Sequence, residues 1–141
     1  MKAIDNVQWT IDNGGENFAK SAKFQFEMKN NLIVEKTMDF AVRIVNLYKY
    51  LSSEKQEFVM SKQLLRSGTS VGANVREGTQ GQSKTDFCAK MSIALKEVCE
   101  TEYWLELLHK TEYLTDEQYE SISSDCSEIA KILTSIVKNS K

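Results

Sequence analysis

The sequence predicts an all-α protein, an up-down-up-down antiparallel four-helix bundle. Three observations predict it. Proline, the residue that helices tolerate least, is absent from all 141 positions. Apolar residues recur at alternating steps of four and three in several long segments, which places one seam along each helix. Short polar stretches with helix-start chemistry separate those segments, so successive helices are expected to reverse direction. A chain that is 41% hydrophobic and 27% charged has ordinary means for one soluble core in one domain.

Residues 1–29 differ from the rest. They hold Gly14-Gly15, scattered polar residues and no sustained period. Met28-Lys29 reads like a second translation start ahead of the first strong helix. The boundary expected is a flexible N-terminal extension over 1–29 and a four-helix domain over 30–141. The competing reading is a short arm that docks on a partner through Trp9, Phe24 and Phe26.

The first helix has its stripe at Ile33, Thr37, Phe40, Ile44, Leu47 and Leu51. Ser53-Glu54-Lys55-Gln56 fits a capping box for the second helix. There, Leu64, Val71 and Val75 share one face, and Gly78 reads as the stop, because glycine turns left-handed at no steric cost. A looser box, Ser83 to Asp86, opens the third helix, whose stripe is Phe87, Met91, Ala94, Val98, Thr101, Leu105 and Leu108. Thr115 to Gln118 opens the fourth, with Leu114 and Tyr119 at the staple positions. Its stripe is Tyr119, Ile122, Cys126, Ile129, Leu133 and Ile136. A seven-residue period favours shallow left-handed crossings.

The totals narrow the function classes. A formal charge of −2 gives no global attraction to nucleic acid or anionic lipid. The first residues lack the apolar run of a signal peptide, and no stretch approaches the ~20 apolar residues that span a bilayer. Cys88, Cys99 and Cys126 have no metal-finger or paired spacing. They read as reduced thiols of a cytoplasmic protein.

Gly68-Thr69-Ser70-Val71-Gly72 fits G-x-S-x-G, the pattern of a hydrolase nucleophile, and His109 follows later in the chain. That motif works where a strand feeds a strained turn. The residues before it are helix-patterned, so no catalytic residue is expected. As a helix, the segment places Gly68 and Gly72 on nearly the same side. Two interior glycines cost roughly 1 kcal/mol each against alanine, which close approach of another backbone would offset. Ser70 and Asn74 stand one turn apart beside that face, placed to hydrogen-bond across a helix or subunit boundary.

Glu106 and His109 form one Glu-x-x-His pair. The di-iron pattern needs two such pairs and two further glutamates, and this chain has one histidine; no metal or other cofactor is expected. Charge is uneven: residues 79–141 hold seven lysines and eleven acids, whereas 58–84 hold Lys62, Arg66, Arg76 and Lys84 against Glu77. The first three of those cations fall within about 80° on a helical wheel, a row on which phosphates would sit. The alternative is a solvated face whose arginines pair with glutamates of the next helix.

The run from Lys62 to Gly78, KQLLRSGTSVGANVREG, resembles the hallmark of the four-helix-bundle proteins encoded in intervening sequences of bacterial 23S rRNA genes. The likeness continues through Ser83 to Phe87, Ile93 to Glu97 and Glu100 to Trp104, and covers residues 30 to 141. It implies an up-down bundle that assembles as a ring, often of five copies, with no catalytic residues to carry over. A related branch, the accessory protein of diversity-generating retroelements, implies contact with a reverse transcriptase and with RNA or DNA through a basic surface; this chain is acidic instead. The function expected is therefore a non-enzymatic oligomeric scaffold or adaptor, with nucleic-acid or protein partners and no membrane. Its packing would draw on Gly68, Ser70, Gly72, Asn74, Tyr103 and Trp104.

Overall fold

The structure is a computed structural model and describes residues 14–81 and 83–140, except for the side chains of residues 14–17 and Phe26. It is all-α: four helices and, among the described residues, no strand. They are α1 (Gly14–Ser53), α2 (Met60–Thr79), α3 (Lys84–Lys110) and α4 (Asp116–Asn139).

The stripes form the core. All seven residues of the α3 stripe are buried. On α1, Ile33, Thr37, Phe40, Ile44 and Leu51 are buried and Leu47 packs at the edge. On α4, Ile122 to Ile136 are buried and Tyr119 borders them. On α2 the buried set is Ser61, Leu64, Ser67, Gly68, Val71, Val75 and Gly78, four of the seven being serine or glycine.

Each helix contacts the next in sequence, and α1 also contacts α4. In three of these pairings the contacts run in opposite order along the two partners. Gly68 meets Ile44 while Gly72 meets Thr37. Ser67 meets Thr101 while Glu77 pairs with Lys90. Along α1 and α4, Lys29 donates to Ser135, Lys36 pairs with Glu128 and Arg43 with Asp125.

The helix ends correct two expectations. Helix α1 itself is continuous from Gly14 through residue 29. Trp9 lies outside the described residues, as does the Phe26 side chain. The capping box at Ser53 does not form, because α1 itself runs to Ser53, whose hydroxyl donates to the Lys49 carbonyl. Instead Gln56 takes a left-handed φ of 56°, and the Glu57 carboxylate accepts from the backbone N–H groups of Val59, Met60 and Ser61. Burial pushes the Glu57 pKa up, but these N–H donors outweigh it and hold it below the usual carboxylate range. Gly78 does not stop α2, which continues to Thr79, and no described glycine has a positive φ. Its value is space: a Cβ there would lie 3.0 Å from Lys90 Cβ and from Met91 Cε on α3.

Two of the sequence-read starts do form. Ser83 accepts from the Asp86 N–H at 3.0 Å. Thr115 and Gln118 make both bonds of a capping box. Between α3 and α4 the chain closes a Schellman turn: the Tyr113 N–H donates to Leu108 O and the Glu112 N–H to His109 O. The left-handed residue is Glu112 (φ 69°), not a glycine, so nothing in the composition announces it.

Candidate functional site: the glycine-rich face of α2

Helix α2 carries the residues that sequence reasoning singled out, and the structure sorts them into three groups. The first is the glycine seam. A Cβ on Gly68 would lie 2.8 Å from both Cγ1 and Cγ2 of Ile44, and one on Gly72 3.2 Å from the Thr37 carbonyl oxygen. The partner admitted by these glycines is therefore α1 of the same chain. Thr37 answers the close approach by turning its hydroxyl back to Ile33 O at 2.7 Å, so the buried seam keeps its polar groups satisfied.

The second group is polar. Ser70 Oγ donates to Arg66 O at 2.7 Å, and Asn74 Nδ2 to Ser70 O at 2.9 Å. Both bonds stay inside α2 rather than crossing to another helix. Ser67, not Ser70, makes the cross-helix hydroxyl contact, 2.9 Å from Thr101 Oγ1 on α3. His109 is engaged elsewhere: its Nε2 lies 2.7 Å from Asp116 Oδ1 and its ring stacks on Tyr119 at 4.3 Å. Thr101 is level with Ser67, so His109 is more than two turns, about 12 Å, beyond that level. The helix thus brings Ser70 no imidazole. Glu106 pairs with Lys110 rather than with His109. Among the described residues, no three His, Cys, Asp or Glu side chains form a metal-binding group.

The third group is the basic row, and it divides. Arg66 is held by two α3 carboxylates, Glu100 at hydrogen-bond distance and Glu97 at 3.7 Å. Those contacts raise the Arg66 pKa, Glu100 foremost. Glu100 also accepts from Trp104 Nε1 at 3.1 Å, and the Trp104 and Arg66 donors hold its pKa below the usual range. Trp104 is part-buried against the core, while Tyr103 stands exposed, edge-on to it at 5.0 Å. Lys62, Arg76 and Lys84 are exposed and form no ion pair among the described residues. Of the three cations read from the wheel, Arg66 is paired and Lys62 and Arg76 are not, and Lys84 stands apart on α3.

One surface went unread in the sequence. Beside its core stripe, α1 carries a second stripe at the same spacing: Val34, Met38, Ala41 and Val45. Met38 is 45% exposed and the adjacent Val42 53%. Val34, Met38 and Ala41 of that stripe, with Thr69, Gly72 and Ala73 of α2, wall a groove of about 420 Å³ that Arg76 also lines. The signal was present as a doubled heptad pattern on one helix, wider than a single seam.

The comparisons place this architecture. A family model described as 23S rRNA-intervening sequence protein matches residues 29–135. A solved structure of a protein with unknown function from the S23 ribosomal protein family of Bacteroides thetaiotaomicron VPI-5482 is 64% identical, with a TM-score of 0.77. The match covers 78% of this chain and 98% of that one. No curated protein matches.

Proposed function

The chain belongs to the 23S rRNA-intervening sequence protein family, and on that premise we propose that it is a non-enzymatic, homo-oligomeric helical scaffold of the cytoplasm. Its four helices form an up-down antiparallel bundle, a reading supported by the opposed order of the contacts of α1 with α2, α2 with α3 and α1 with α4. Copies of the bundle join into a ring of five that presents its outer faces to another macromolecule. Among the described residues, no helix is long and apolar enough to cross a membrane.

The observation that carries the proposal is the second apolar stripe of α1. Exposed Met38 lines a groove with the small α2 residues Gly72 and Ala73, and exposed Val42 lies one turn along α1 from Met38. Scattered apolar residues are ordinary on a surface, but a row beside a groove is the mark of a contact face. Gly68 and Gly72 seat α1 against α2, and Gly72 with Ala73 also lines the groove. The local hydrogen bonding of Ser70 and the Asp116 pairing of His109 support a non-catalytic role. Sedimentation equilibrium tests the reading. The parent chain is expected at a multiple of the 16.1 kDa subunit mass, and Val42→Glu is expected to reduce it to monomer with its helicity kept. A monomeric parent overturns the proposal.

The alternative is an RNA- or DNA-binding accessory of a reverse transcriptase or similar enzyme, resting on exposed Lys62, Arg76 and Lys84. It predicts salt-sensitive retention of RNA, with each lost phosphate contact lowering the salt slope by about one. Arg66→Ala is expected to have the smallest effect, because Arg66 is already paired. Retention indifferent to salt and to Arg76→Ala excludes this surface.

A further inference from the structure

We propose that the exposed face of α1 around Met38 and Val42 packs on the outward face of α3 of a second copy, the two helices lying side by side and parallel at one height. This contact rests on the homo-oligomeric reading and names the surface that covers the α1 face. The heights follow from contacts within the chain. Between α1 and α2, Thr37 lies against Gly72 and Ile44 against Gly68. Between α2 and α3, Ser67 stands opposite Thr101. Carried across at 1.5 Å per residue, these contacts put Met38 level with about residue 96 of α3 and Val42 with about residue 99.

The α3 surface at that height is the complement. Ile93 is 40% exposed and Tyr103 59%, with exposed Lys96 between them. Residues 93, 96, 100 and 103 repeat the steps of three, four and three that Glu35, Met38, Val42 and Val45 make on α1. Set parallel, the two rows share one register: Glu35 beside Ile93, Met38 beside Lys96, Val42 beside Glu100 and Val45 beside Tyr103. It coincides with the heights set inside the chain. Charge fits it too. Glu35 and Asp39 flank Met38, and Lys96 stands level with them. All three are exposed and form no ion pair among the described residues. Asp39 adds to the field on Lys36, which Glu128 already holds. Glu100 brings no free charge, because Arg66 and Trp104 hold it. Tyr103 is braced edge-on against Trp104, so covering it costs little side-chain freedom. Two α1 faces would set acids against acids, whereas Lys96 attracts them, which selects α3 of the second copy. Different faces meet, so the contact is heterologous, the kind that closes rings.

Carbodiimide coupling of the assembled full chain tests it, because that reagent joins an amine to a carboxylate with no spacer. Helices α1 and α3 of one chain share no contact, so a bond from Lys96 to Glu35 or Asp39 comes from two copies. Mass spectrometry of the digested product is expected to find that bond. In sedimentation velocity, Lys96→Glu and Glu35→Lys are each expected to weaken association about fivefold. The double variant is expected to recover most of the loss, because the swapped charges meet between copies. Tyr103→Ala is expected to weaken association about tenfold. These positions are exposed, and circular dichroism checks that helicity is kept. A parent assembly that yields no such bond and is unmoved by Lys96→Glu overturns this contact and leaves the scaffold reading standing. So does a double variant weaker than either single one. A monomeric parent overturns both.

Discussion

The methyl group missing from Gly68 sets how near α1 can come to α2. Two atoms of Ile44 lie 2.8 Å from where a Cβ would stand. Ile44 is fully buried and β-branched, so it cannot rotate aside in a helix. Alanine at residue 68 gains about 1 kcal/mol of helix propensity, but overpacking a core costs about 1–3 kcal/mol. Gly68→Ala is therefore expected to be net destabilising by about 1 kcal/mol in urea unfolding. Ile44→Ala in the same chain should return part of that loss, as contacting sites couple. Independent additivity would contradict the packing account. A second residue-scale test concerns Cys126, whose thiol pKa is pushed far up, chiefly by burial and then by Glu102 and Asp125. In native protein, exposed Cys99 is expected to react readily with a thiol reagent, and Cys126 only after unfolding.

Among the elements, the starts of α2 and α4 make a contrast. Helix α4 is opened by Thr115 and Gln118, and Thr115→Ala is expected to lower stability by about 1 kcal/mol. Ser53→Ala, at the box that does not form, is expected to be within about 0.5 kcal/mol of the parent. Glu57→Ala is expected to cost about 1–2 kcal/mol at pH 7, since Glu57 holds three N–H groups of α2. Glu57 has a depressed folded-state pKa. Its contribution is full above the unfolded carboxylate value and fades as pH falls through the folded one. Parent and Glu57→Ala should therefore converge in the acid range below about pH 4, and a constant gap down to pH 2 would contradict the cap assignment. These elements also show what was legible. The seam of α3 could be read to the residue, because burial follows a helical period that side-chain chemistry reports directly. The α2 start and the Glu112 turn could not. A glutamate acting as a cap from outside the usual motif, and left-handed φ values at Gln56 and Glu112, depend on where the neighbouring helices force the chain. Of the candidate site, the glycine seam was legible as a close approach. The pairing of Arg66 with Glu97 and Glu100 was open in the sequence, since only packing decides which carboxylates of α3 face α2.

At the scale of the whole molecule, four helices close one core and leave Met38 and Val42 of α1 exposed beside it among the described residues. A scaffold that assembles through the outer stripe of α1 explains why α2 keeps small residues on both sides of Gly72: one side seats α1, the other leaves a groove for the next copy. Its central claim is the assembly itself. The most direct measurement is the solution mass of the full chain by sedimentation equilibrium, beside Val42→Glu. The account predicts a discrete multiple of the subunit mass, five copies, and a helical monomer for the variant. A parent that stays monomeric across the concentration range, or a variant with the mass of the parent, would contradict it.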